Sequence, residues 1–593
     1  MSDRVGITRR VSWGFAILFA TLATLVAMLL QNVVRDTWQI RTLPERVMEW
    51  LLLFVPLDLF ERGLARYGAD AKEIALTGTV LGMALVLFLI GLLALRTGWS
   101  GWRLLGLGAG LWLLTMLVIM PITGAGIFAT GLLVAPLLTN AGFLTVFLGY
   151  SSVLLAGAAL ASHSVGPTET SPGGGLSRTV TGTAERRALV AGLVGTGLAY
   201  ALARFVGRDG GTAASSLPLA LVPTRTAAPR VATPVAADTG TPQAVAAAPA
   251  ATDTPAPARN PADAFPTPPP ARRIARDKDG SLTAAGRPKG TLSPLITSNQ
   301  DFYVVTKNAV ADPVLDAANW RLVIDGEVNN PVQLDYVSLR SLPAVEITKT
   351  LECISNLTAG CEQTSFGCDL ISTARWAGVR LSDLVNLAGG LKPGVVAFAL
   401  FATDEFSAGL PVSAAMDPET LVVYEMNGEV LPREHGYPAR LLVPGRYGMK
   451  NPKWLAGIRA MNQPFTGWYD QRGWNPEGFV KTMSRIDVPA DGASLPAGQQ
   501  QVAGIAYAGN RGIQKVEVSD DAGNTWQTAQ FLEPAAGTDV MVRWQSTFTL
   551  DPGATATLVV RATDGTGDTQ QEMFVLPQPN GSSGWDSIDV SAA

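Results

Sequence analysis

The stretch Thr350-Leu351-Glu352-Cys353-Ile354-Ser355-Asn356 holds the residue on which the reading of this chain turns. Cys353 is one of three cysteines in 593 residues, and the only histidines are His163 and His435. Three cysteines exclude an all-cysteine iron–sulfur cluster, which needs four thiolates. Of the two histidines only His163 lies near an apolar segment, which nearly excludes a membrane haem with two histidine ligands. A lone cysteine is by default a small buried apolar residue. It becomes a metal ligand when other motifs converge on it, because a soft thiolate suits a soft metal. Two downstream stretches are candidates for that convergence: His435-Gly436-Tyr437-Pro438-Ala439-Arg440 and Tyr447-Gly448-Met449-Lys450-Asn451-Pro452-Lys453-Trp454.

The totals set the frame. The chain is far too long for one domain. A net charge of -4 and a pI near 5.5 argue against a nucleic-acid binder, which needs a basic patch. Charged residues make up 16% and the mean hydropathy is +0.22, so lipid-embedded and water-facing parts are combined.

The apolar part comes first. Val11–Val34, Ile74–Leu95, Leu104–Ile119, Ala141–Ala161 and Ala188–Val206 are runs of roughly spanning length. Five spans are expected, with six the main rival. Trp50–Phe60 reads as interfacial or re-entrant, and Gly126–Leu138 is short and interrupted by Pro136. Five crossings place Arg4, Arg9 and Arg10, then Arg96 and Arg103, then Arg178, Arg186 and Arg187 on the cytoplasmic side. Everything after Val206 is then extracytoplasmic. Arg35, Arg41 and Arg46 fall on the wrong side of this scheme. Arg186-Arg187, just ahead of the last apolar run, resembles an internal twin-arginine export signal; the plainer alternative is a positive-inside anchor.

From about Asp209 to Ser293 the chain is rich in Pro, Ala and Thr and too poor in apolar bulk to fold. A coil of ~85 residues spans ~50 Å, enough to tether a domain away from a bilayer. The expected division is 1–208 membrane domain, 209–293 disordered linker, 294–475 catalytic domain and 476–593 an all-β domain. Leu322 with Ile324, then Val328 with Val332, sit among turn residues and predict short strands. Trp376–Gly389 predicts an amphipathic helix stopped by Gly389-Gly390. After Pro476, alternation at Val516 and Val518 and at Leu558, Val560 and Ala562 predicts a β-sandwich.

Taken in order, the motifs resemble the sulfite oxidase family of molybdopterin-dependent oxidoreductases, in a bacterial membrane-anchored form, over about Ile296 to Val575. Asp301-Phe302-Tyr303-Val304-Val305-Thr306-Lys307-Asn308 is similar to the family's first pterin-contacting strand. Ala374-Arg375-Trp376-Ala377-Gly378-Val379-Arg380-Leu381 follows the cysteine as in the family, and Tyr424–Pro432 leads into His435. Val502–Tyr507 and Val516–Trp526 resemble its immunoglobulin-like dimerisation domain. The implied fold is therefore multidomain: an α-helical membrane domain, a mixed α+β molybdopterin-binding domain, and an all-β immunoglobulin-like sandwich.

The resemblance implies a molybdenum cofactor, with Cys353 as the metal's protein ligand. Lys450 and Lys453 are expected to supply a positive field that keeps its sulfur deprotonated. Tyr303, Val304, Lys307, Asn308, Asp404, His435, Arg440, Tyr447, Lys450, Asn451, Pro452 and Lys453 are the expected cofactor contacts, and Arg440 offers the planar donor fork that suits phosphate. Lys453, Arg472 and Trp474 join Cys353 as the expected reacting group.

The chain departs from the family where substrate binds. The family's arginines fall on Val305 and Thr358, and its active-site tyrosine near Trp474. An oxyanion needs those cations, so oxygen-atom transfer on an S- or N-oxide type of substrate is the expectation. Arg446 and Arg472 are possible substitutes. Sulfite oxidation, or a non-catalytic tethered binding module, are the alternatives. Too few Cys and His remain for an internal haem or cluster, so electrons are expected to pass to an external cytochrome or quinone-linked partner. The dimerisation domain implies a possible homodimer. Cys361 and Cys368 are spaced for a small disulfide loop in an oxidising compartment, with a redox-active pair as the alternative.

Overall fold

In the computed structural model, the described residues are 11–55, 70–99, 101–132, 136–163, 265–269, 288–308, 312–360 and 368–593. Four helices are long and apolar enough to cross a membrane: α1 (Trp13–Trp38), α3 (Ile74–Arg96), α4 (Trp102–Ile122) and α5 (Pro136–Ala161). The expected fifth, Ala188–Val206, lies outside the described residues. Small residues set the packing. Ala16, Ala20, Ala23 and Ala27 form a fully buried stripe on α1. A Cβ on Gly157 of α5 would strike the Phe19 ring. Without a hydrophobic drive between helices in lipid, such close approach is what holds spans together. Large side chains such as Leu25, Leu29, Leu85 and Leu93 stay on the outside.

The bundle has two distinct ends. Arg96 donates to the Val11 carbonyl at 2.5 Å, so the end of α3 returns to the start of α1. Gly142 lies beside Val34 and Gly157 beside Phe19, so α5 runs antiparallel to α1 and also finishes at the Val11 end. The opposite end carries α2 (Leu43–Leu51). It starts with a capping box, in which the Glu45 amide donates to Thr42 Oγ1 and the Thr42 amide to Glu45 Oε2 at 2.7 Å.

The next domain is built from two sheets. The first runs β2 (Val332–Asp335), β1 (Arg321–Gly326), β10 (Leu455–Met461), β5 (Ala397–Ala402), β6 (Ser407–Pro411). The second runs β3 (Val345–Glu352), β4 (Ile371–Arg380), β7 (Leu421–Met426), β8 (Glu429–Val430), with β9 (Arg440–Leu442) also paired to β7. Both bury one core, to which Ile324, Phe398 and Ile458 come from the first sheet and Val379, Val422 and Tyr424 from the second.

The helix expected over Trp376–Gly389 is half wrong. Trp376 to Arg380 belong to β4, where Trp376 is paired to both neighbouring strands; the helix is only Leu381–Leu387. Aromatic and β-branched residues between two partner strands prefer the pleat to the helix.

The C-terminal part folds as two facing sheets. One contains Met483–Val488, Gly498–Tyr507 and Val542–Leu550, and the other Ile513–Ser519, Thr555–Asp564 and Asp586–Ala592. Trp544 and Phe548 from the first meet Val516, Val560 and Ile588 from the second in one core. A buried ion pair, Lys349 with Asp539, joins this domain to β3. Tyr507 Oη also donates to Asp539, at 2.6 Å.

Two stretches of the expected linker are not free tether. The Pro266 carbonyl accepts from Tyr437 Oη at 2.8 Å, and buried Ser293 donates its amide to Asp487 at 2.9 Å.

Candidate active site

Cys353 follows directly on β3, and its position is fixed by the backbone around it. Its amide donates to the Leu370 carbonyl at 2.9 Å, and its carbonyl accepts from Asn356. The Asn356 side chain bridges the turn, accepting from Leu370 N at 3.0 Å and donating to Glu352 at 2.9 Å. Cys353 lines a partly open pocket together with Tyr303, Arg440 and Lys453. Of the two lysines expected to supply a positive field, Lys450 is spent on a carboxylate, while Lys453 lines the cavity and donates to a carbonyl. Lys450 Nζ pairs with Asp470 at 2.9 Å, and Lys453 Nζ donates to the Glu434 carbonyl at 2.8 Å. Burial raises the Cys353 thiol, and hydrogen bonding with Ser355 at 3.0 Å opposes that rise. Deprotonation would come from the metal itself, since a coordinating thiol loses its proton outright.

One wall of the cavity descends from the 3₁₀ turn Arg433–His435 into β9. Gly436 turns the chain at φ 114°, where a Cβ would lie 3.0 Å from Lys453; only glycine sits there without strain. His435 Nε2 lies 3.1 Å from the Asn299 carbonyl, and its ring packs edge-on to Phe302 at 5.3 Å. Arg440 is the most informative group. It is buried, donates through Nη1 and Nη2 to the carbonyls of His435 and Asn451 at 3.1 Å each, and its Nε has no hydrogen-bond partner. Among the described residues no carboxylate pairs with it. Burial pulls the guanidinium down to about 10, opposed only by Tyr303. An uncompensated buried cation is costly unless an anion joins it.

Two phenols, Tyr303 and Tyr469, line the cavity with Cys353. Burial pushes both well above the ordinary tyrosine range, and the Cys353 thiol pushes them further. Both are therefore protonated donors at neutral pH. Gly448 lets Tyr303 in, since a Cβ there would meet the phenol oxygen at 2.9 Å.

Of the residues expected at the site, the cavity is lined by Cys353, Tyr303, Val304, Lys307, Asp404, His435, Arg440, Asn451, Pro452 and Lys453. Five are not brought to it. Asn308 hydrogen-bonds Asp404 at 3.2 Å from outside. Tyr447 is buried in a neighbouring core and accepts from Lys481 N at 3.1 Å. Lys450 faces Asp470. Arg472 lies 3.5 Å over the Trp468 ring, and Trp474 packs at right angles to Tyr469, 6.2 Å away. Tyr469, five residues before Trp474, is the phenol that sequence reading missed. Tyr469 lines the pocket, and Trp474 packs behind it.

The substrate-side substitutions also resolve. Val305 lines the cavity. Thr358 is buried against Ser582, and Arg446 is spent on Glu477 and the Phe479 ring. Neither Arg446 nor Arg472 replaces the missing arginines inside. Cys353 is free and Cys368 is disulfide-bonded; Cys361 lies outside the described residues.

These features fit an anionic, phosphate-bearing dithiolene cofactor: one buried free thiol, and beside it a buried arginine that has no carboxylate partner among the described residues and one unsatisfied N–H. Comparison with known proteins agrees. The family model for the oxidoreductase molybdopterin binding domain matches residues 309–469, and that for the Mo-co oxidoreductase dimerisation domain matches 477–576. The chain is 33% identical over 269 residues to mitochondrial sulfite oxidase of Homo sapiens, covering 40% of this chain and 49% of that protein. It is 29% identical over 315 residues to sulfite oxidase of Gallus gallus, covering 47% and 68%. Among solved structures it is similar to the sulfane dehydrogenase SoxCD of Paracoccus pantotrophus, with 26% identity, a TM-score of 0.45, and coverage of 50% of this chain and 82% of that one. The chain thus spans about half the length of the mitochondrial relatives it matches. Residues 309–469 and 477–576 are thus the two domains of a molybdenum-dependent, molybdopterin-binding oxidoreductase of the sulfite oxidase type.

Proposed function

We propose that the protein is a membrane-anchored oxidoreductase that moves an oxygen atom to or from a small sulfur or nitrogen compound. The observation that carries this is the pairing, in one cavity, of the free Cys353 thiol with the uncompensated Arg440 guanidinium. When bound, the molybdenum cofactor supplies the two-electron, oxygen-atom chemistry. Cys353 would hold its metal. Arg440, His435 and Lys453 would hold its phosphate and pterin edge, and Asp404 its amine. Tyr303 and Tyr469, kept protonated by burial, donate hydrogen bonds to a substrate oxygen. Val305, Ile354 and Phe406 add apolar surface to the lining, which would suit a neutral substrate.

Electrons would leave through an external redox partner. The catalytic domain would face the extracytoplasmic side, which the bundle geometry supports. The soluble domain meets the α2 end of the bundle, opposite the end at which α5 finishes; the apolar run Ala188–Val206, outside the described residues, is our candidate for a fifth crossing. Arg35, Arg41 and Arg46 are each ion-paired, with Glu45, Glu49 and Glu405. We take the C-terminal two-sheet domain to be immunoglobulin-like and to mediate a homodimer, and we divide the chain at 1–208, 209–293, 294–475 and 476–593.

The deciding experiment is metal and pterin analysis of the purified full chain, followed by a substrate panel with artificial electron carriers. Molybdenum and pterin near one per chain, with S- or N-oxide turnover exceeding that of sulfite, is the expected result. A well-folded chain without either sinks the enzyme reading. Rapid, tight sulfite turnover sinks the substrate reading alone.

A further inference from the structure

We propose that α2, with the short connection that leads into it from α1, forms part of the rim of the cofactor pocket, with Glu49 as a positioning residue for Lys307. The proposal rests on the cofactor reading above and goes beyond it by giving the helix bundle a role other than anchoring.

The contact begins at Glu405, on the β5–β6 turn, one residue from cavity-lining Asp404. Glu405 has φ 65°, a left-handed conformation that a non-glycine residue adopts only when its surroundings demand it. Its carboxylate accepts both terminal nitrogens of Arg46, one at 2.8 Å. That arginine is buried, and its side chain is only 2% exposed. Bidentate arginine–carboxylate pairing fixes orientation as well as distance.

Behind this clamp lies Glu49. Its carboxylate takes Arg41 in a second bidentate pair, lies 3.8 Å from Lys307 Nζ, and accepts from Trp468 Nε1 at 3.4 Å. Its backbone carbonyl accepts from Arg472 at 3.3 Å. Lys307 also has Asp404 at 3.8 Å. The cavity lysine therefore sits between a carboxylate of its own domain and one delivered by the bundle. Burial lowers the Lys307 ammonium, Arg41 adds to this, and Glu49 and Asp404 oppose it. Burial would raise the Glu49 carboxyl, but Lys307, Arg41 and Arg472 hold it well below the usual range. Removing one partner of a buried pair leaves the other uncompensated, so loss of the Glu49 charge would displace or neutralise Lys307 at the cavity edge. A neighbouring groove of about 380 Å³ is lined from the bundle side by Arg35, Gln39 and Arg41 and from the domain side by Asn308 and Asp404, so the two bodies share a continuous polar seam.

The test has two arms on the full chain in detergent. In the first, pterin and molybdenum per chain are compared in Glu49→Gln, which keeps shape but loses charge, and Glu49→Asp, which keeps charge. Retention should fall roughly tenfold in Glu49→Gln, as for other outer-shell partners of a bound cofactor, and stay within about threefold of wild type in Glu49→Asp. Equal retention in all three overturns the Glu49 assignment. In the second arm, amide exchange at Phe406 is followed in Arg46→Glu and in the swap Arg46→Glu with Glu405→Arg. Exchange should quicken in the first and recover in the second. Unchanged exchange in Arg46→Glu overturns the docked rim. A wild-type chain lacking pterin but passing the exchange arm defeats the cofactor reading, and Glu49's role with it, while the docked rim stands.

Discussion

The two sides of the cavity treat positive charge in opposite ways. On the bundle side, Lys307 is met by Glu49 and Asp404, and its neighbours Arg41 and Arg46 by Glu49 and Glu405. Elsewhere on the lining, Arg440 reaches two carbonyl oxygens and the face of the Trp376 ring, and among the described residues no carboxylate. Both sides are buried, so both bear the desolvation cost. The compensated side is complete as it stands and holds two parts of the chain together. The uncompensated side is complete only when an anion is added. Charge balance therefore separates a structural seam from a ligand site even where burial and residue type are alike.

The largest expected effect comes from removing the thiol. Cys353→Ser should lower turnover by more than about 100-fold, the upper range for losing a partner outside the ligand sphere. The fold should persist, because the turn is held by backbone bonds and by Asn356 rather than by sulfur. Activity close to wild type would show that Cys353 is not the ligand. Next comes the contact between the two soluble domains. Asp539→Asn strands Lys349, whose side chain is 1% exposed, and should destabilise the chain by roughly 3–5 kcal/mol. Denaturant unfolding checks this, and a change below 1 kcal/mol would refute it.

Arg440→Met tests the comparison most directly. Cofactor affinity should fall by roughly 10- to 100-fold, the worth of a charge-assisted hydrogen bond, while the cofactor-free chain should be as stable as wild type or more so, since an unpaired buried charge has gone. A large stability loss without the cofactor would mean that Arg440 is structural after all, and that the contrast between the two walls is false.

The sequence made the order of motifs legible, and that order located most of the cavity: Tyr303 and Lys307 from one segment, Cys353 from the next, His435 and Arg440 from a third. Apolar runs of spanning length likewise located the four described helices that are long and apolar enough to cross a membrane. What it could not carry was direction. Lys450 and Tyr447 lie in the right motif, yet their side chains turn away, to Asp470 and to Lys481 N. Trp474 and Tyr469 are five residues apart, and only the fold tells which faces the thiol. The helix over Trp376–Gly389 failed because a strand with two partners overrode a local spacing that truly begins at Leu381. The pairing of Glu49 with Lys307 spans 258 positions and depends on docking two bodies, for which no local pattern exists.

The smallest expected effect is a pH dependence in the C-terminal domain, where a carboxyl is buried rather than exposed. Asp586 is raised from 3.8 to about 7, chiefly by burial; the Ile486 amide, which it accepts at 2.8 Å, and Arg485 pull it back, and Asp487 adds to the rise. Arg485 is itself shared with Asp487 and Asp369. Because the folded value lies above the unfolded one, the folded state holds the proton more tightly between those limits. Stability therefore falls as pH rises from about 4 to about 7, and the loss is complete above 7. Each pH unit inside that window is worth at most about 1.4 kcal/mol, so a slope near 1 kcal/mol per unit between pH 5 and 6 is expected. Asp586→Asn keeps an oxygen for the Ile486 amide but cannot ionise. The slope of the opening free energy measured by amide exchange at Ile505, in the core beside that strand, should flatten in this variant. An equal slope in wild type and variant would assign the pH dependence to another group.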